Sequence, residues 1–205
     1  MVLPKVELTL PEMTDQEAVQ KSIDLSDQYL TEERWASHQS VLKAVFDLFH
    51  LPCSDEVLRA LTGFTAGGGF TGGFCGALAG GLTALGVIYG SDEPMPQETY
   101  DRFIQVIISE EQPQNQKAQE VINAFLSSGW IFNYLVNDFR LKNGHTDCRE
   151  LIAPFNPSLI SRQRFGSCRR IVRGTAGQVT QLILDLENKR LEPRIDYNIY
   201  SHLLE

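Results

Sequence analysis

Four cysteines, Cys53, Cys75, Cys148 and Cys168, carry the reactive chemistry this chain offers. A thiolate is both a nucleophile and a ligand for soft metals, so each sulfur's setting decides its use. Cys75 has the clearest setting. It follows the glycine-rich stretch Gly63-Phe-Thr-Ala-Gly-Gly-Gly-Phe-Thr-Gly-Gly-Phe74 and opens an apolar run ending near Gly90. A sulfur at a helix start faces unsatisfied N–H groups and the positive end of the helix dipole, which favour its thiolate. Beyond it, Gly76, Ala77, Ala79, Gly80 and Ala84 leave one helix face nearly bare. Another helix, a second copy of the chain or a flat cofactor could approach that face closely. The same small residues would equally serve plain helix packing, with Cys75 buried as a small hydrophobe.

Arginines stand close to the other sulfurs. Arg149 follows Cys148, and Arg169 follows Cys168, with Arg162, Arg164, Arg170 and Arg173 nearby. Guanidinium groups lower a neighbouring thiol's pKa and bind anions in bidentate fashion. Asp147 and Glu150 partly offset that charge at Cys148, and a solvated basic face on an acidic protein is the simpler use of the cluster. Two His-x-x-Cys spacings, His50/Cys53 and His145/Cys148, could together offer zinc two imidazoles and two thiolates, although so short a spacing also arises by chance.

Other chemistries are poorly served. The net charge of −8 argues against general nucleic-acid binding, which needs a basic face. The glycine-rich loop lacks the Lys-Ser/Thr ending of a phosphate-binding P-loop. Cys-x-x-Cys-His is absent, so covalent c-type haem is not encoded. No nucleophile-elbow spacing supports Ser-His-Asp catalysis. The N-terminus shows no secretion signal, which points to a cytoplasmic protein, where cysteines are seldom structural disulfides.

The elements that must position these residues read as helices. Thr14 and Glu17 form a capping-box signal for a helix to about Leu30. Val41, Leu42, Val45, Phe46 and Phe49 make an apolar stripe on a helix that Pro52 ends. Ser54 can cap a short helix over Asp55 to Leu61. Further helices are expected from Cys75 to Gly90, from Pro96 to Ser109, and from Asn115 to Leu141 with a bend at Gly129. Short helical structure around Cys148 to Ile152 precedes a last helix from Cys168 to Lys189. Strand alternation is scarce, so the expected fold is all-α, a bundle of about six to seven helices around a central buried one. Residues 1–30 read as a leader and helix, 31–190 as one domain and 191–205 as a tail. The apolar stretch from Cys75 to Tyr89 is shorter than the ~20 residues a membrane span needs, so it reads as a core helix.

The run from Gly67 through Cys75-Gly-Ala-Leu-Ala-Gly80, continuing to Leu85-Gly86 and Tyr89-Gly90, resembles the central motif of the C-GCAxxG-C-C family. Those are proteins held to be redox-active and named for their cysteines; a related domain occurs in split-Soret cytochromes. Phe139, Asn143-Gly144 and Asp147-Cys148-Arg149-Glu150-Leu151 resemble the family's third cysteine segment, and Cys168 with Ile171-Val172 resembles the fourth. The resemblance covers about residues 33 to 186. One position departs from it: Ser37-His-Gln-Ser-Val-Leu42 carries serine where the family's first cysteine usually opens a helix. An intact four-cysteine centre is therefore not expected: either Ser37, His38 or Cys53 completes an altered one, or the site holds three thiols only.

The resemblance implies a redox role for Cys75, Cys148 and Cys168. In thiol chemistry Cys75 would attack an oxidised partner protein and Cys148 or Cys168 would resolve the mixed disulfide. In cluster chemistry the same sulfurs would hold iron, with a fourth ligand from another residue or a second subunit. Gly76 and Gly80 would then face the cofactor, with Arg149 and Arg169 supplying charge. A non-catalytic helical interaction protein and a zinc-binding structural module are the competing readings.

Overall fold

In the computed structural model, residues 6–108, 129–155 and 161–191 are described. Helix α1 (Asp15–Thr31) begins with the reciprocal cap its sequence announces: Glu17 N donates to Thr14 Oγ1 at 3.3 Å, and Thr14 N donates to the Glu17 carboxylate at 2.9 Å. Helix α2 (Ser37–Leu48) buries its apolar stripe, with Val41, Leu42, Val45 and Phe46 all inside the core. It ends where His50 takes a left-handed backbone conformation ahead of Pro52. Helix α3 (Asp55–Leu61) is capped by Ser54, and a single 3-10 turn over Thr62–Phe64 leads into the glycine-rich loop.

That loop folds back on itself. A side chain at Gly67 would come within 2.7 Å of the Gly72 and Gly73 backbone, and Gly67 has a φ of +85°, so only glycine fits. The loop delivers the chain to α4 (Gly76–Tyr89), whose N-cap is Cys75. Helices α5 (Gln97–Ile108), α6 (Trp130–Asn143) and α7 (Cys148–Ile152) follow, and α8 (Arg162–Glu187) closes the fold. Gly144, at a φ of +87°, turns the chain out of α6 and donates to Arg140 O at 2.7 Å.

The architecture is all-α, with eight α-helices among the described residues. Extended pairing there amounts to one isolated bridge, between Phe74 and Asp147. The long α8 packs against α1, α2, α4 and α6, while α2 lies directly on α4. Leu42, Phe46, Phe49, Leu78, Leu85, Ile88, Ile131, Leu135, Phe139 and Ile183 fill the space between them. The close approach of α2 and α4 rests on Gly80, because a Cβ there would lie inside the van der Waals envelope of the His38 carbonyl oxygen.

Two expectations shift. Helix α8 starts at Arg162, well before Cys168, because Ser161 Oγ accepts from Arg164 N at 3.3 Å and caps it. The expected bend at Gly129 is the N-cap position of α6, and the expected helix from 115 to 128 lies outside the described residues. So do the residues from 192 onward. Among the described residues, no helix is long and apolar enough to cross a membrane.

Candidate thiol site

The two loops that lead into α4 and α7 are joined through their backbones. Cys75 N donates to Thr146 O at 2.8 Å, Cys148 N to Gly73 O at 2.5 Å, and Arg149 N to Gly72 O at 2.8 Å. These bonds hold the starts of both cysteine-bearing helices side by side. Helix α8 runs past them and contributes Cys168 from its second turn. Cys75, Cys148 and Cys168 line one cavity of about 300 Å³, shared with Ser37, His38 and Arg164. All four cysteines of the chain are free thiols.

The ionisation of these sulfurs follows from burial first. Cys75 does receive the helix-start effect its sequence suggests, since the Ala77 and Leu78 backbone N–H groups favour its thiolate. Burial outweighs them and pushes the thiol up to about 11. Burial also raises Cys148 and Cys168, but there the guanidinium of Arg164 pulls the other way through charge and hydrogen bonding to both sulfurs. A thiolate at Cys148 further opposes ionisation of both Cys75 and Cys168.

His38 is almost fully buried, at 1 % exposure, and among the described residues its Nε2 has no hydrogen-bond partner. Burial holds its imidazole down to about 4, so it is neutral at pH 7.

The remaining sequence candidates divide. Gly76 lines the cavity, whereas Gly80 serves the helix contact with α2. Arg149 does not line it; its guanidinium donates to Thr71 O at 2.8 Å and braces the glycine-rich loop. Arg169 turns away to Asp27 on α1 in a bidentate pair at 2.5 and 2.6 Å, which holds the Asp27 carboxyl below its usual range. Cys53 lies past the end of α2, in the company of Lys43, Asp47 and Asp55, and does not line the cavity. Among the described residues, no three His, Cys, Asp or Glu side chains gather at metal-ligand spacing, and the two His-x-x-Cys pairs are not brought into one ligand set.

Arg164 is the residue sequence reasoning passed over as one of a cluster. Its signal was the i, i+4 spacing to Cys168, which places both side chains on one helix face once α8 is known to begin at Arg162.

An all-α fold that gathers three ordered cysteines around one cavity defines the class. Residues 36–182 match the family model described as "Putative redox-active protein (C_GCAxxG_C_C)", and the chain belongs to that family. Neither a curated protein nor a solved structure matches it.

Proposed function

We propose that this chain is a thiol redox protein whose chemistry runs between Cys148 and Cys168, with Cys75 as a third sulfur in the same cavity. The observation that carries this reading is Arg164, a guanidinium placed against two of the three thiols that line one cavity. Positive charge beside a sulfur favours the thiolate, the form that attacks disulfides.

Cys148 is the attacking group. Arg164 favours its anion, and a thiolate formed there opposes ionisation of Cys75 and Cys168. Helix position alone would favour Cys75, but burial reverses that order. The Cys148 thiolate attacks one sulfur of a partner disulfide and the partner's first thiolate leaves. Cys168 then loses its proton and attacks Cys148 Sγ, expelling the second partner thiolate. The chain ends with a Cys148–Cys168 disulfide, and the partner gains two electrons and two protons as two thiols.

The test is anaerobic purification of untagged protein, followed by iron, sulfide and thiol counts and reaction with a small organic disulfide. Two thiols should disappear per chain, with a Cys148–Cys168 bridge in the peptide map. Cys168→Ser should trap a mixed disulfide on Cys148. Stoichiometric iron with labile sulfide would replace thiol exchange by cluster chemistry, and an unchanged thiol count would sink the reading.

A further inference from the structure

Two polar groups in the cavity have more capacity than the thiols use. His38 Nε2 is buried without a partner among the described residues. A buried polar atom without a hydrogen bond is unfavourable, and His38 lines the cavity, so a guest's polar atom that reaches Nε2 would satisfy it. Arg164 is the sole charged side chain among the described residues that line the cavity, and none of them is Asp or Glu. Among the described residues it has no carboxylate partner: the ion pairs of the other arginines join Arg59 to Glu56, Arg102 to Glu98, Arg169 to Asp27 and Arg190 to Asp15 and Asp185. A guanidinium offers five N–H donors in a planar fork, and two sulfurs do not exhaust them. In a chain of net charge −8, a half-buried cation with no carboxylate beside it among the described residues is a specific arrangement.

Apart from the Ser37 and Thr65 hydroxyls and the thiols, the rest of the wall is largely apolar. Leu30, Leu151, Ile152 and Ile171 line it, together with Phe64, Phe70 and Phe165. Phe70 is 68 % exposed and Phe165 51 %, so these rings stand at the cavity's rim, open to solvent. A volume of about 300 Å³ falls at the small end of organic-ligand sites, which are mostly apolar with a few placed polar groups.

We propose that this cavity binds a small organic anion, an apolar and preferably aromatic body carrying one acid group, with the acid on Arg164 and a hydrogen bond from His38 Nε2. The neutral imidazole carries its proton on Nε2 in this arrangement and donates to the acid or to a polar atom beside it. The inference stands apart from the redox reading: as a binding site it needs only the cavity, Arg164 and His38.

The test titrates the reduced full chain at pH 7 with two fluorescent probes of one shape, 1-anilinonaphthalene-8-sulfonate and its uncharged parent N-phenyl-1-naphthylamine. One sulfonate molecule should bind per chain, about tenfold or more tighter than the parent, the increment of a charge-assisted bidentate contact. Arg164→Met should abolish that difference and leave the parent's affinity within about twofold, while Arg164→Lys restores part of it. His38→Phe should weaken the sulfonate by about threefold or more, the loss of one hydrogen bond. Ala36→Phe, at the N-cap of α2 on the cavity wall, should exclude both probes.

Equal affinity for the two probes would overturn the proposal. So would binding that Ala36→Phe leaves untouched, since that is adsorption to exposed rings. A variant with Cys75, Cys148 and Cys168 all changed to serine should still bind the sulfonate. Binding with inert thiols removes the redox reading and keeps this site; reactive thiols with no anion preference do the reverse.

Discussion

The guanidinium of Arg164 faces the thiol of Cys168 across one turn of α8, and it reaches Cys148 on α7 as well. One cation therefore biases two sulfurs that stand 20 residues apart in sequence. Arg164→Met should raise the pKa of both thiols. Alkylation of Cys148 and Cys168 by iodoacetamide near pH 8 should slow by about threefold to tenfold, since one pKa unit changes the thiolate fraction tenfold. Their rate–pH profiles should move to higher pH, read peptide by peptide by mass spectrometry. Unchanged rates at both sites would show that Arg164 does not set their ionisation.

Arg169, though adjacent to Cys168 in sequence, points at Asp27 and ties α8 to α1. Arg169→Ala should leave the alkylation rates of the three cavity thiols within about twofold of the parent, because its charge serves a half-exposed ion pair of modest worth. Its effect should appear as a small loss in denaturation midpoint. A large drop in thiol reactivity would mean that the guanidinium leaves Asp27 in solution.

His38 makes stability depend on pH. Its folded pKa of about 4 lies below the ordinary histidine value, so between those two values the unfolded chain binds the proton and the folded chain does not. Stability contributed by the neutral ring is fully present above about pH 6.5 and is lost as pH falls toward 4. The loss amounts to on the order of 2–3 kcal/mol. Denaturant unfolding at pH 7 and pH 4.5 should show it, and His38→Phe should remove that part of the slope. Identical slopes in the two proteins would assign the acid sensitivity to other groups.

Gly80→Ala would set a methyl group against the His38 carbonyl oxygen and push α4 from α2. Overpacking of this kind costs about 1–3 kcal/mol, to be read as a lowered urea midpoint. A variant as stable as the parent would show that the two helices can separate freely.

Local chemistry made much of this legible. The Thr14/Glu17 box, the Ser54 cap and the turn at Gly144 are settled by neighbours in sequence, and each lies where its residues indicate. The short helix Cys148–Ile152 does too. Gathering Cys75, Cys148 and Cys168 was suggested by the order of motifs, although their common cavity depends on loop-to-loop bonds that no local pattern reveals. The ionisation order was hidden for the same reason. A helix start is visible in the residues around Cys75, whereas the burial that overrides it exists only once the chain has folded. The arginine beside Cys168 in the chain looked like its partner, but adjacent residues on a helix diverge by about 100°, and those four apart share a face.

The bonds joining residues 72–75 to 146–149 run from main chain to main chain. They involve no side chain, although Gly72, at a φ of +78°, and Gly73, where a Cβ would lie 3.2 Å from Gly67 O, limit what can stand at those two positions. Drift in the surrounding sequence can therefore alter what the cavity holds, including the serine at position 37, without loosening the spacing of Cys75 and Cys148. Only proline, at the donor positions 75, 148 or 149, would remove a rung outright.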